Sequence, residues 1–118
     1  MKNITENNRL IAEFMGWESN RYSNLPNRMH MGEGKDEVGV DVNNLKYDFS
    51  WNWIMPVIEN IESQDYWTEI LRDQCFIGKM NIQEPFISAA VSRSKIDAVY
   101  EAVIEFINWH NHNQNLTS

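Results

Sequence analysis

Cysteine is nearly missing from this chain. Cys75 stands alone among 118 residues, which excludes an internal disulfide framework and suits a reducing compartment. It falls in an apolar, strand-like run, and a reactive thiol needs an electropositive, accessible setting, so an inert, partly buried thiol is expected. Basic residues are scarce as well: ten against seventeen acids, for a net charge of −7. Charge of that sign repels phosphate backbones, which disfavours general binding to nucleic acid or to anionic membranes. No apolar run approaches the ~20 residues that span a bilayer. The stretch Met1 to Asn8 is polar and carries no apolar signal region. Glycine and proline number only five and three, and Gly32, Gly34, Gly39 and Pro26 all fall between positions 18 and 47.

What is present is enough for a core. Hydrophobic residues make up 42% of the chain and include five tryptophans, so one domain over 1–118 is expected to fold without metals or disulfides. Folding a chain of this size buries roughly two thirds of its unfolded surface. The acids are unevenly spread. Six acids face one base between Asp48 and Asp73, and three acids face none after Lys95. Solvated helix faces explain such runs, and an acidic face for a basic partner is the sharper alternative.

Apolar spacing sets out the elements. Ile96, Val99, Tyr100, Val103, Ile104 and Ile107 recur at helical spacing between Ser94 and Trp109. Ser94 with Asp97 has the form of a capping box, with the acid at the positive end of the helix dipole. An earlier helix is expected from Thr5 to Met15, ended by Gly16. Another follows Asp48 or Ser50 as N-cap, with Trp51, Ile54, Met55, Ile58 and Ile61 on one side and a bend expected at Pro56. Tyr66 to Leu71, Cys75 to Met80 and Pro85 to Val91 read as three short strands joined by polar turns, an antiparallel meander. Neither side of these strands is cleanly polar, which points to a sheet at least partly covered on both faces. Positions 18–47 show no sustained period and read as an irregular loop: functional, mobile, or hiding a short element. Val38, Val40 and Val42 alternate there, as a brief edge strand does. The polar tail 111–118 is expected to fray. The fold class is therefore α+β: helix, long loop, second helix, three-stranded antiparallel meander, C-terminal helix, arranged as an αβα sandwich.

Candidate chemistry is thin. Met31-Gly32-Glu33-Gly34-Lys35 lacks the spacing of a phosphate loop and reads as a glycine-rich turn. His30, Glu33 and Asp36 on the loop, and His110 with His112 in the tail, offer metal-ligand residue types without the spacing of a closed site, so no metal is expected. Glu69 and Glu84 are the only pairing of carboxylates worth naming, and rim acids of a sheet are usually solvated. No nucleophile triad is proposed by spacing. A non-enzyme without cofactors follows. The strongest group is Trp17, Arg21, Tyr22, Arg28 and His30, which brings donors and stacking surfaces together in an acidic protein. Such residues dominate binding hot spots and also hold anionic or nucleotide-like ligands. Anchoring of the loop to the core is the plainer role for the same residues.

Three blocks resemble a known family. Leu10-Ile11-Ala12-Glu13-Phe14-Met15-Gly16-Trp17, Tyr47 to Ile61 with Asp48-Phe49-Ser50-Trp51, and Ser92-Arg93-Ser94-Lys95-Ile96-Asp97-Ala98-Val99 resemble, in order, the helical blocks of the small phage ABA-sandwich domain family. The resemblance implies a phage- or prophage-encoded protein in the cytoplasm of a host cell, and supplies no active site. The leading expectation is an accessory protein that binds a host or phage protein, with a homodimer among the candidate assemblies. The alternative is a small-molecule sequestering protein. A nucleic-acid module ranks third: helix, three strands and helix follow the order of double-stranded-RNA-binding domains, but Arg93 and Lys95 are the only bases at the last helix start.

Overall fold

Asn3 opens the first helix of the computed structural model, which describes residues 3–81 and 86–117, the side chains of 114–117 excepted. Its Oδ1 accepts from the Glu6 backbone N–H at 3.1 Å, capping α1 (Ile4–Phe14). The exit from α1 follows the sequence. Gly16 takes φ +100°, its N–H donates to the Glu13 carbonyl at 3.1 Å, and the Trp17 N–H donates to the Ala12 carbonyl at 2.9 Å. These are the two bonds of a Schellman ending, and only glycine adopts that φ without strain.

The chain divides into two compact units, Met1–Lys46 and Tyr47–Ser118. In the first, positions 18–47 are not an irregular loop. They form an antiparallel sheet in the order β1 (Glu18–Ser19), β2 (Arg28–Met31), β3 (Val38–Asp41), with 3-10 turns at Gly34–Asp36 and Val42–Asn44. The strands are two to four residues long, too short for an apolar period to register. β3 is an edge strand, as its alternating valines indicate, and it ends at Asp41, whose Oδ1 caps the following turn by accepting from the Asn43 N–H at 2.8 Å. Ile11, Ala12, Met29, Val42 and Leu45 are buried. Asn8 is buried too, and its Nδ2 donates to the Leu45 carbonyl at 3.2 Å.

The second unit runs α2 (Trp51–Glu62), β4 (Tyr66–Ile70), β5 (Gln74–Lys79), β6 (Ser88–Val91), α3 (Lys95–Thr117). Ser50 is the N-cap of α2 through its extended backbone, with no side-chain bond, and the helix continues through Pro56 to Glu62. Ile54, Val57, Ile58 and Ile61 are buried, whereas Trp51 is exposed. β5 is the central strand, with Tyr66 opposite Lys79, Thr68 opposite Ile77, Cys75 opposite Ala90 and Ile77 opposite Ser88. The expected third strand began at Pro85, which lies outside the described residues.

Both helices of this unit serve one face of its sheet. Tyr66 meets Phe106 and Trp109 of α3 edge-on at 4.9 and 6.1 Å, and Thr68 Oγ1 donates to Glu62 Oε2 of α2 at 2.5 Å. Cys75, Ile77, Ser88 and Ala90 on that side are buried, as are Ala98, Val99, Tyr100, Ala102, Val103, Phe106 and Ile107 of α3, which packs on β5 and β6. The expectation of a sheet at least partly covered on both faces meets a contrast here: on the other side Trp67 and Phe76 are half-buried, whereas Ala89 and Val91 are exposed. At the start of α3 the Asp97 N–H donates to Ser94 Oγ at 3.2 Å, and the Asp97 carboxylate accepts the Ser92 hydroxyl. α3 also continues through positions 111–117, where fraying was expected. No glycine or proline interrupts it, and Asn113 Nδ2 bonds the Trp109 carbonyl at 2.8 Å. Among the described residues the fold is α+β, with three helices and two three-stranded antiparallel sheets.

Candidate functional site

Four of the five singled-out residues converge on the first sheet. The register of β2 places Glu18 opposite His30, and Gly39 opposite His30 on the other side. Arg21 lies beside them. Its Nη2 and Nε donate to Glu18 Oε2 at 2.7 and 3.1 Å, its Nη1 donates to the Gly32 carbonyl at 2.7 Å, and Glu37 Oε1 is 3.6 Å away. Tyr22 donates its hydroxyl to Glu37 Oε1 at 2.8 Å and meets the His30 ring edge-on at 4.9 Å. His30, only 4% exposed, turns Nε2 towards Glu37 Oε2 at 3.8 Å, and its Nδ1 is buried with no hydrogen-bond partner among the described residues. A β-carbon built on Gly39 falls 3.0 Å from Arg28 Nη2 and 3.2 Å from His30 Cδ2, so Arg28 lies across the glycine beside the imidazole. Trp17 is half-buried just past the end of α1, one position before Glu18.

The chemistry of the group is largely internal. Arg21 is held in the charged form, its pKa raised first by the Glu18 hydrogen bond. Tyr22 is held in the neutral form, its pKa raised first by its bond to the Glu37 carboxylate. Two acids thus occupy the donors that an anionic ligand needs. Arg28, lying on backbone instead of on a carboxylate, is the cation least committed.

The remaining candidates do not converge. Glu33 and Asp36 are exposed while His30 is buried. His110 stacks on Phe106 with centroids 5.8 Å apart, and His112, two residues on, is exposed. Residues two apart on a helix do not share a face. Among the described residues no three His, Cys, Asp or Glu side chains are grouped to hold a metal. Glu69 is exposed on β4, and Glu84 lies outside the described residues. Cys75 is buried, and burial pushes its thiol up to about 12, which leaves it without a thiolate near neutral pH.

A second surface escaped the residue pattern. On the side of the β4–β5–β6 sheet away from the helices, Phe86 meets Trp67 edge-on at 5.7 Å and Phe76 at 5.0 Å. The Trp67 indole lies flat over Gly78: a β-carbon built there falls 2.3 Å from Trp67 Cζ2. Phe86, Leu71 and Val91 are 42%, 42% and 66% exposed, and Ala89 is exposed beside them. Among the described residues, Glu69 is the one charged side chain that the alternation along β4, β5 and β6 puts on this face. The sequence signal was Gly78 within an apolar strand, which often marks a position where another group closes on the backbone. No protein-family model, no curated protein and no solved structure matches this chain.

Proposed function

We propose that this protein is a non-enzymatic accessory protein of the phage or prophage ABA-sandwich kind, working in the host cytoplasm by binding another protein through the outer face of the β4–β5–β6 sheet. The observation that carries the reading is the aromatic cluster of Trp67, Phe76 and Phe86, half-buried to exposed on the outer side of the sheet. Aromatic residues supply most interface hot spots, and these are already fixed by packing on one another, so little side-chain entropy is lost on docking. The helix–three strands–helix order of the second unit also suits an RNA-binding module, but the net charge of −7 opposes that use. The test is affinity capture from host extract with wild type and with Val91→Lys, a substitution at an exposed position. Partners held by the wild type and lost from the variant support the reading; an identical set of captured proteins refutes it.

The position of Arg28 favours a second reading, retention of an anionic small molecule at Arg28 and His30. Native mass spectrometry of gently purified protein decides it. A retained mass that disappears in Arg28→Ala supports a sequestering role, and a bare chain removes it.

A further inference from the structure

We propose that the protein docked on the outer face of the β4–β5–β6 sheet is a second copy of this chain, related by a two-fold axis that runs along the strands between β5 and β6. The inference rests on the protein-binding reading of that face and names its partner. Phe76 on β5 and Ala89 on β6 are register partners, side by side on the open face. One is a large ring and the other a single methyl. A two-fold axis between their strands exchanges the two positions, so each Phe76 ring descends on the other copy's Ala89. The pair is thus self-complementary, as an isologous interface requires. Facing sheets pack about 10 Å apart, which is the depth that interdigitated aromatic and small side chains fill.

Charge restricts the choice of face. Copies that each carry −7 repel one another across acid-bearing surfaces, and among the described residues this face carries a single acid, Glu69, on the edge strand β4. The proposed axis sends β4 of each copy beyond the other's β6. The two Glu69 carboxylates then stand about three strand spacings apart, ~14 Å, beyond the ~8 Å screening length at physiological salt. An axis perpendicular to the strands lays β4 over β4 and brings the two acids together, so the charge selects the first geometry.

Area sets the strength. Three strands of about five residues cover about 240 Å². Even doubled for side-chain relief, that falls short of the ~800 Å² per partner of a standard interface. The dimer is therefore a weak one, formed at high concentration and open to replacement by a better-fitting protein.

Sedimentation velocity over about 1 μM to about 1 mM tests this, with thermal melts confirming that each variant is folded. The wild type is expected to shift from monomer to dimer across the series. Ala89→Lys is expected to raise the dissociation constant at least about tenfold. Ala89→Phe sets ring against ring and abolishes the dimer, whereas Phe76→Ala combined with Ala89→Phe moves the ring to the exchanged position and restores it. A wild type that stays monomeric throughout overturns the proposal, and Val91→Lys-sensitive capture of a host protein then leaves the protein-binding reading standing. A dimer indifferent to Ala89→Lys, or a folded double variant that remains monomeric, also overturns it.

Discussion

Replacing Gly78 by alanine tests the packing of the open face directly. The added β-carbon meets Trp67 Cζ2 at 2.3 Å, Cε2 at 2.4 Å and Nε1 at 2.8 Å, distances that no relaxation of a few tenths of an ångström cures. The indole must leave, and with it goes the edge-to-face contact with Phe86 at 5.7 Å. An aromatic pair contributes about 0.5–1.5 kcal/mol, and forcing extra volume into a packed site costs about 1–3 kcal/mol. Against this, alanine in a strand is favoured over glycine by roughly 0.5–1 kcal/mol. Gly78→Ala is therefore expected to destabilise the protein by about 1–3.5 kcal/mol. In a Trp67→Ala background the three atoms nearest the methyl group are gone, and the same change is expected to stabilise by roughly 0.5–1 kcal/mol. The reversal of sign is the prediction, read as a double-mutant cycle in urea by far-ultraviolet circular dichroism. Equal effects of Gly78→Ala in the two backgrounds refute the placement of the indole over the glycine.

Three further outcomes follow from buried groups. Asn8→Ala removes the 3.2 Å bond to the Leu45 carbonyl and leaves that oxygen unsatisfied, so a loss of about 1–2 kcal/mol is expected in chemical denaturation. Burial raises Tyr47 from 10.0 to about 12 and Cys75 from 9.0 to about 12, so both are kept neutral by the fold. Their contribution is complete below pH 9 and is lost as pH rises through about 12, and a melting temperature flat from pH 8 to pH 11 contradicts it. Cys75 is expected to resist a thiol reagent in native buffer and to react at the rate of unfolding, whereas immediate labelling of folded protein refutes its burial.

The long elements were legible because they obey one period over many residues. α3 repeats its apolar side over about three turns, and the bond from the Asp97 N–H to Ser94 formed at its start. Gly16 ended α1 with the bonds that a glycine after a helix predicts. The first sheet was not legible, for a physical reason. One side of β2 is apolar through Met29, but the other carries His30 beneath Tyr22, Arg21 and Glu37, so polar groups do the covering that hydrophobicity patterns look for. The open sheet face misled in the opposite direction. Trp67, Phe76 and Val91 have the composition of buried positions, and alternation alone does not distinguish a face awaiting a helix from one awaiting another protein.

The same contrast separates the two candidate surfaces. Arg21 and Tyr22 have hot-spot chemistry, yet Glu18, Glu37 and the Gly32 carbonyl already take their donors. A ligand there has to displace bonds that charge makes stronger than ordinary ones. Among the described residues the outer face offers aromatic and aliphatic groups, and its one carboxylate stands at an edge strand. Binding at the first surface exchanges one set of hydrogen bonds for another; binding at the second removes apolar area from water at about 25 cal/mol per Å². Residue type is shared between the two places. What decides which of them has free energy left to offer a partner is whether the fold has already used the side chains' interactions, and that depends on neighbours such as Glu37, fifteen positions away from Tyr22 in the chain.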